Sequence, residues 1–351
     1  DVFRNAFQFV LNSATQSALH RSTPIEYIWD DHDYGPNNSD STARGRQAAR
    51  LTYREYVPHY PLAERDPFGA IYHSFTIGRA RFIVCDARSA RSPAGATDDA
   101  EKTMLGKTQK AWFKRQLLDA RNRGQLIVWA NSLPWIGTNG DDGWYRYTHE
   151  RRELANFIKD SLITRLCMIS GDAHMTAIDD GANSDYADGG GAGFPVMHAA
   201  PLHRTPSAKG GPYSHGVFLS SSGQFGTMSV TDAGDSITVT WKGWRLKRLL
   251  AEYSFSFPMA ECPEDYLCGD TDSDGRVDTA DVLRLLNFYF RAGTAPCPRA
   301  AGDVNCDGLI DLADIVYLIY FVNGAIPTLC CQNTPQDPGS PRLYYPEAKE
   351  D

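Results

Sequence analysis

Residues 71–170 alternate near-continuous apolar runs with amphipathic ones, and this alternation constrains the fold more than any other feature of the chain. "IYHSFTIGRARFIVCDAR" (71–88) predicts two strands about a turn at Gly78. "TQKAWFKRQLLDARNR" follows as a helix with Trp112, Phe113, Leu117 and Leu118 facing inward, and "QLIVWANS" as a buried strand. "THERRELANFIKDSL" predicts a second helix opened by a Thr148 cap, and "RLCMIS" a further buried strand. Strands that are apolar on both faces need a covering layer on each side. The pattern therefore specifies an α/β layer fold with parallel pairing. Three β-rich stretches at 216–222, 226–232 and 236–242, joined by short turns, predict antiparallel strands that end the first domain near residue 257.

Upstream the signals are weaker. Residues 1–20 read as one helix with Phe3, Phe7, Val10 and Leu11 on a stripe. Pro24 ends it, and "IEYIW" reads as a short strand. Residues 35–70, rich in Gly, Pro, Asn and Asp, read as loop. The chain opens at Asp1 within a helical pattern, with neither a Met nor a signal peptide, which reads as a processed or truncated product. A net charge of −8 argues against a partner held by a basic surface, such as nucleic acid. No run nears the ~18 apolar residues that cross a bilayer. The most apolar window, "IVYLIYFV" at 315–322, stops well short.

Residues 258–266 read as a linker, after which the composition changes to Asp-rich loops, short helices and frequent Cys. Cys85 and Cys167 sit in apolar runs and read as buried thiols. Cys262, Cys268, Cys297, Cys306, Cys330 and Cys331 crowd the C-terminal part. They suit disulfides and an oxidising compartment; a zinc site is the weaker alternative, because no C-x-x-C pair occurs and no His follows position 215. Residues 332–351 are polar and Pro-rich and read as a tail.

Two segments repeat at a spacing of 33 residues, Asp270 to Asp303: "GDTDSDGRVDTADVLRLL" and "GDVNCDGLIDLADIVYLI". Asp270, Asp272, Asp274, Asp278 and Asp281 fall at loop positions 1, 3, 5, 9 and 12, with the Arg276 carbonyl at position 7. Asp303, Asn305, Asp307, Asp311 and Asp314 fall likewise, with the Leu309 carbonyl. Gly275 and Gly308 stand where such a loop turns sharply. This spacing gathers oxygen ligands about a calcium-sized cation. A solvated acidic loop is the ordinary alternative, and finding two loops in register weighs against it.

The first domain has its own polar clusters, each at the end of an apolar run: "YIWDDHDYG" at 27–35, Asn131 after "VWA", and "GDAH" with Asp172 and His174. Each alone has a plain explanation: a solvated turn, a strand-end hydrogen bond, a surface histidine. Together they bring oxygen and imidazole donors to the edge of one sheet, where α/β folds place ligands.

The blocks "WDDHDYGPNNSD", "FIVCDARSAR", "GKTQKAWFKRQLLDA", "SGDAHM" and "GQFG" resemble the PhoD-like (alkaline phosphatase D) family of metallophosphoesterases over about residues 1–245. The resemblance implies a four-layer α/β/β/α sandwich over 1–257 with two metal ions, calcium with iron or of the zinc or manganese type. It implies that Asp31, Asp172 and His174 are metal ligands, with Asn131 a strand-end ligand. His32 would protonate the leaving-group oxygen or stabilise the phosphoryl oxygens. Asp33 would orient its neighbours, and Asn37 or Asn38 would meet substrate or metal. Arg88 would clamp phosphate or simply pair with Asp86. The family's earlier Gly-Asp-x-x-Tyr block has no counterpart upstream of Trp29. Its N-terminal third is therefore expected in a longer protein or as a separate chain.

Residues 267–331 are similar to a type I dockerin, a small all-α module with two Ca²⁺ that plugs into a cohesin on a scaffold. The positions that help choose the partner there are Thr279-Ala280 and Leu312-Ala313, which leave the partner open. The resulting expectation is a secreted or cell-surface, or periplasmic, bacterial phosphoesterase acting on phosphate mono- or diesters and tethered by its calcium module. The alternative is a structural or binding protein that self-associates through calcium on a phosphatase scaffold.

Overall fold

The structure, a computed structural model, describes residues 2–138, 140–199, 201–219, 221–233, 236–258, 266–291, 296 and 299–329. Most of the expected linker, the whole tail, and Cys262, Cys297, Cys330 and Cys331 lie outside these residues. The chain divides into two compact units, Asp1–Met259 and Ala260–Asp351.

The first unit begins with α1 (Val2–Leu11), α2 (Ala14–Ser22), α3 (Asp31–Tyr34) and α4 (Arg46–Tyr56). Next come β1 (His73–Ile77), β2 (Ala80–Cys85), α5 (Gly106–Asn122), β3 (Leu126–Asn131), α6 (Thr148–Asp160) and β4 (Leu166–Ser170). It closes with β5 (Thr176–Asp179), β6 (Val196–Ala199), β7 (Val217–Phe218), β8 (Gln224–Asp232), β9 (Ser236–Arg245) and β10 (Arg248–Pro258). Seven strands form one sheet in the order β1-β2-β3-β4-β6-β5-β7, and β10-β9-β8 form a second. β2, β3, β4 and β6 are mutually parallel, while β8, β9 and β10 form an antiparallel meander.

Each face of the large sheet has its own apolar core. Phe113 and Leu117 of α5 and Leu154 and Ile158 of α6 pack with Ile83, Ile127, Trp129 and Met168 of the strands. On the other face, Ala80, Leu126, Val128, Cys167 and Met197 meet Ile237, Val239 and Trp241 of β9. The strands alternate between these two cores, which is why they read as near-continuous apolar runs. The sheets approach closely at Gly243, where a Cβ would fall 2.2 Å from Thr176 Cγ2. Cys85 and Cys167 are buried free thiols.

Several local expectations are corrected. The N-terminal helix is two, interrupted at Asn12-Ser13, where Ser13 Oγ caps α2 by accepting the Gln16 N–H. "IEYIW" belongs to no strand. It is held instead by side chains: the Tyr53 hydroxyl donates to the Tyr27 carbonyl at 2.7 Å, and Trp29 packs on Tyr34 and Tyr53. The supposed loop over 35–70 contains α4, whose Ala49, Thr52 and Tyr53 are buried at helical spacing. Thr148 is the first helical residue of α6, and its N–H and hydroxyl both donate to Asp98 rather than capping the helix. β5, β6 and the long β10 also escaped the pattern; β5 and β6 have only four residues each.

Asp86, directly after β2, ties these parts together. It is fully buried, and its carboxylate accepts four N–H groups at 2.9–3.0 Å: the Trp29 indole and the backbones of Arg88, Ser89 and Ile71. Asp86→Ala orphans all four donors. It is expected to lower unfolding free energy by about 3 kcal/mol or more. A urea titration that shows a shift below about 1 kcal/mol would remove Asp86 as the anchor of the Trp29 segment.

In the second unit α7 (Thr279–Arg291) and α8 (Leu312–Val322) each follow an acidic loop and share a core of Val282, Leu285, Val304, Ile315 and Leu318. The two loops use one hydrogen-bond plan. Asp270 accepts from Asp274 N and Gly275 N, and Asp303 from Asp307 N and Gly308 N, all at 2.9–3.1 Å. Asp281 closes the first loop on Thr271 N and Asp278 N, and Asp314 closes the second on Asn305 N and Asp311 N. Cys268 and Cys306 each take part in a disulfide.

Candidate metal centre

Parallel strands end on one edge of the sheet, and register brings Cys85, Asn131, Ser170 and His198 into one row across β2, β3, β4 and β6. The residues just beyond these ends carry the polar groups, so Asp86, Ser132 and Asp172 leave the sheet together. α3 delivers Asp30, Asp31 and His32 to the same place. Carboxylate oxygens of Asp30, Asp31 and Asp172 lie within 4.8 Å of one another.

Two clefts open beside this triad. One, of about 840 Å³, is lined by Asp31, His32, Asn37, Asn38, His174 and Lys209 together with Asp30 and Asp172. The other, of about 550 Å³, is lined by Asn131, Ser132, Ile169, Met197, Phe225 and Met228, again with Asp30 and Asp172. Asp31, His32, Asn37, Asn38, Asp172 and His174 thus share one cleft, and Asn131 reaches the triad from the other side. Asp33 lines neither; its carboxylate accepts the Asp30 N–H at 3.0 Å and steadies the first turn of α3.

The donor set suits hard cations. Asp31 accepts His32 N at 2.7 Å and Asn38 N at 2.8 Å, one on each oxygen, and retains a further lone pair on both. Asn131 donates to the Leu133 carbonyl at 2.6 Å, while its Oδ1 is buried with no partner among the described residues. His174 Nδ1 lies 2.8 Å from the Thr205 carbonyl, which only accepts. In the neutral ring the proton is therefore on Nδ1, and Nε2 presents its lone pair.

Beneath the triad lies an ion-pair network absent from the sequence reading. Arg88, fully buried, reaches Asp30 at 2.6 Å and Asp142 at 2.8 Å, and donates to the Ser39 carbonyl at 3.2 Å. Its guanidinium is thus taken up by protein groups, and the Asp86 carboxylate receives only its backbone N–H. Arg91 pairs with the other side of Asp142 and donates to the Tyr147 hydroxyl. Asp172 receives Lys209 on both oxygens, at 2.7 and 2.8 Å. Asp30, Asp142, Lys209 and His198 carried no sequence signal beyond Asp30's place beside Asp31.

Burial sets the titration, and neighbouring charges modify it. Burial pushes the Asp30 carboxyl up to about 8, with Asp172 and Asp31 adding to the push and Arg88 opposing it. Asp172 is raised by burial against the pull of Lys209. Burial works against Asp31 too, but the Asn38 N–H, Arg88 and the His32 N–H outweigh it and hold its carboxyl below the ordinary value. Asn38 and Asp172 both hold a φ of 59°, a left-handed backbone that Asn and Asp tolerate better than most residues.

His198 is fully buried, and burial pushes its imidazole down to about 4. The sign follows directly. Between about 4 and the ordinary 6.5 the unfolded chain binds a proton that the folded chain refuses, so stability falls on acidification through that window. The full difference is about 3 kcal/mol. His198→Gln keeps an N–H donor for the Tyr213 hydroxyl oxygen, which lies 3.2 Å from His198 Nε2 and whose proton goes to the Lys209 carbonyl. It is expected to flatten the stability difference between pH 6.5 and 4, measured as denaturation midpoints against the parent. An unchanged slope would show that His198 does not contribute to it.

The sequence profile of PhoD-like phosphatases matches residues 1–218. Alkaline phosphatase D of Bacillus subtilis (strain 168) is 26% identical over an alignment of 206 residues that covers 50% of this chain and 35% of that protein. A solved structure of PhoD aligns with 70% of this chain and 55% of its own, at 18% identity and a TM-score of 0.50. A purple acid phosphatase, PPD1 from yellow lupin (Lupinus luteus) seeds, aligns with 67% of this chain and 41% of its own at 11% identity and a TM-score of 0.44. The chain thus spans about a third of the curated relative and about half of the solved PhoD chain.

Proposed function

Because the chain belongs to the PhoD-like phosphatase family, we propose that its first unit is part of a metal-dependent phosphoesterase acting on phosphate mono- or diesters. The observation that carries this reading is the Asp30–Asp31–Asp172 triad at the strand ends, with His32 and His174 on the wall of the same cleft. Asp31, Asp172, Asn131 and His174 hold the metal ions, and Asp30, fixed by Arg88, joins them. Bound there, two cations neutralise phosphate charge and supply a hydroxide at neutral pH. His32 stands exposed at the rim and gives its proton to the departing alcohol. The whole enzyme has the four-layer sandwich and calcium with iron, or zinc or manganese, at its centre.

A leaving-group acid has a specific signature. In the metal-loaded, full-length protein His32→Ala is expected to lower kcat on an alkyl phosphate by about 10²-fold or more. On a p-nitrophenyl ester, whose leaving group needs little protonation, the loss is much smaller. Equal losses on both substrates would assign His32 to phosphoryl contacts instead. No turnover by the metal-loaded full-length protein would end the phosphoesterase reading.

We propose further that the second unit binds two Ca²⁺ and tethers a secreted or cell-surface enzyme to a cohesin-type scaffold. Its two matching loops support this, as does the approach of the Asp270, Asp272 and Asp274 carboxylates within 4.8 Å. Calcium at about a hundredfold over its Kd is worth about 2.7 kcal/mol of unit stability per site. That increment is expected to vanish in Asp270→Ala/Asp303→Ala, read as loss of calcium-dependent melting. The same loops also support self-association on a phosphatase scaffold. Sedimentation with and without chelator decides, since an unchanged size removes the module from self-assembly.

A further inference from the structure

The strap from His203 to Tyr213 crosses the cleft edge and brings in the one ammonium that touches the triad among the described residues. Ser207 N donates to the His174 carbonyl at 3.0 Å, and Gly211 N to the Ile136 carbonyl at 3.2 Å. The Tyr213 hydroxyl donates to the carbonyl of Lys209 itself at 3.1 Å. Between these ties Gly210 is pressed against β3's outgoing segment, where a Cβ would lie 2.0 Å from the Ile136 oxygen, and its φ is +69°. Only glycine fits there, so the path that delivers Lys209 is built in.

Lys209 Nζ lies 2.7 and 2.8 Å from the two oxygens of Asp172, a carboxylate only 7% exposed. An ammonium shared between both oxygens takes up one lone pair on each and repels a cation that approaches the others. It also cancels the charge that would attract one. We propose that Lys209 competes directly with a divalent cation for Asp172, so that the strap sets the cation affinity of the centre. The inference rests on the metal-centre reading above. Lys209 is in this sense a positioning residue: it acts on the ligand, and a cation that wins Asp172 must move it aside.

The test is Mn²⁺ binding by calorimetry on the full-length protein, where the calcium loops contribute equally to every variant. Lys209→Met is expected to tighten Mn²⁺ binding at least tenfold, and Lys209→Arg to stay within threefold of the parent. Gly210→Val displaces the strap but keeps the ammonium, and is expected to tighten binding in the same direction as Lys209→Met. Arg204→Met removes a charge from the same cleft and tests whether charge alone explains the effect. A gain there equal to that of Lys209→Met would overturn direct competition, as would unchanged or weaker binding in Lys209→Met. Asp31→Asn/Asp172→Asn separates the two levels. If it binds as much Mn²⁺ as the parent, the metal-centre reading fails; if it binds less while Lys209→Met is unchanged, only the competition fails.

Discussion

The guanidinium of Arg88 lies fully buried between Asp30 and Asp142, and the acidic cleft floor depends on it. Four carboxylates, those of Asp30, Asp31, Asp142 and Asp172, converge where the parallel strands end. Without compensating cations, several of them would take up protons rather than stay charged in low dielectric. Arg88 is suited to this position because its planar fork reaches two carboxylates and a carbonyl at once and does not lose its charge. Arg91 neutralises the far side of Asp142, and Lys209 takes Asp172. Arg88 follows β2 by three residues, next to the Asp86 carboxylate that anchors Trp29. The segment after that strand therefore sets both the entry of α3 and the charge beneath it.

Local chemistry was legible in the chain, and long-range chemistry was not. The α5, α6, β3 and β4 segments announce themselves because each buries a stripe or both faces, and burial leaves a period in the sequence. β5 and β6 leave none, since four residues are too few to show one. "IEYIW" looked like a strand because of its apolar run, yet only Trp29 is fully buried, and it packs on the rings of Tyr34 and Tyr53 rather than pairing with a neighbouring strand. At the site, Asp31, His32, Asp172 and His174 could be named because their motifs are contiguous. Asp142 and Lys209 could not, because only the fold brings residues 30, 142, 172 and 209 together. The calcium-type loops are the opposite case: twelve consecutive residues carry the whole hydrogen-bond plan, and the second loop repeats it.

The cleft retains features that folding alone does not require. A carboxyl held up to about 8 at Asp30, another raised at Asp172, and left-handed backbones at Asp172 and Asn38 all cost stability. Each sits among the residues proposed for the metal centre. A cation shared by the triad would stabilise the ionised form of Asp30 and, on the proposal above, take the place of the ammonium on Asp172. The left-handed turns are what aim Asp172 and the Asn38 N–H at it. Buried carboxyls held above their ordinary titration at one strand-end edge, beside an Asp86 that meets four N–H donors, are the physical mark of a place built for a ligand.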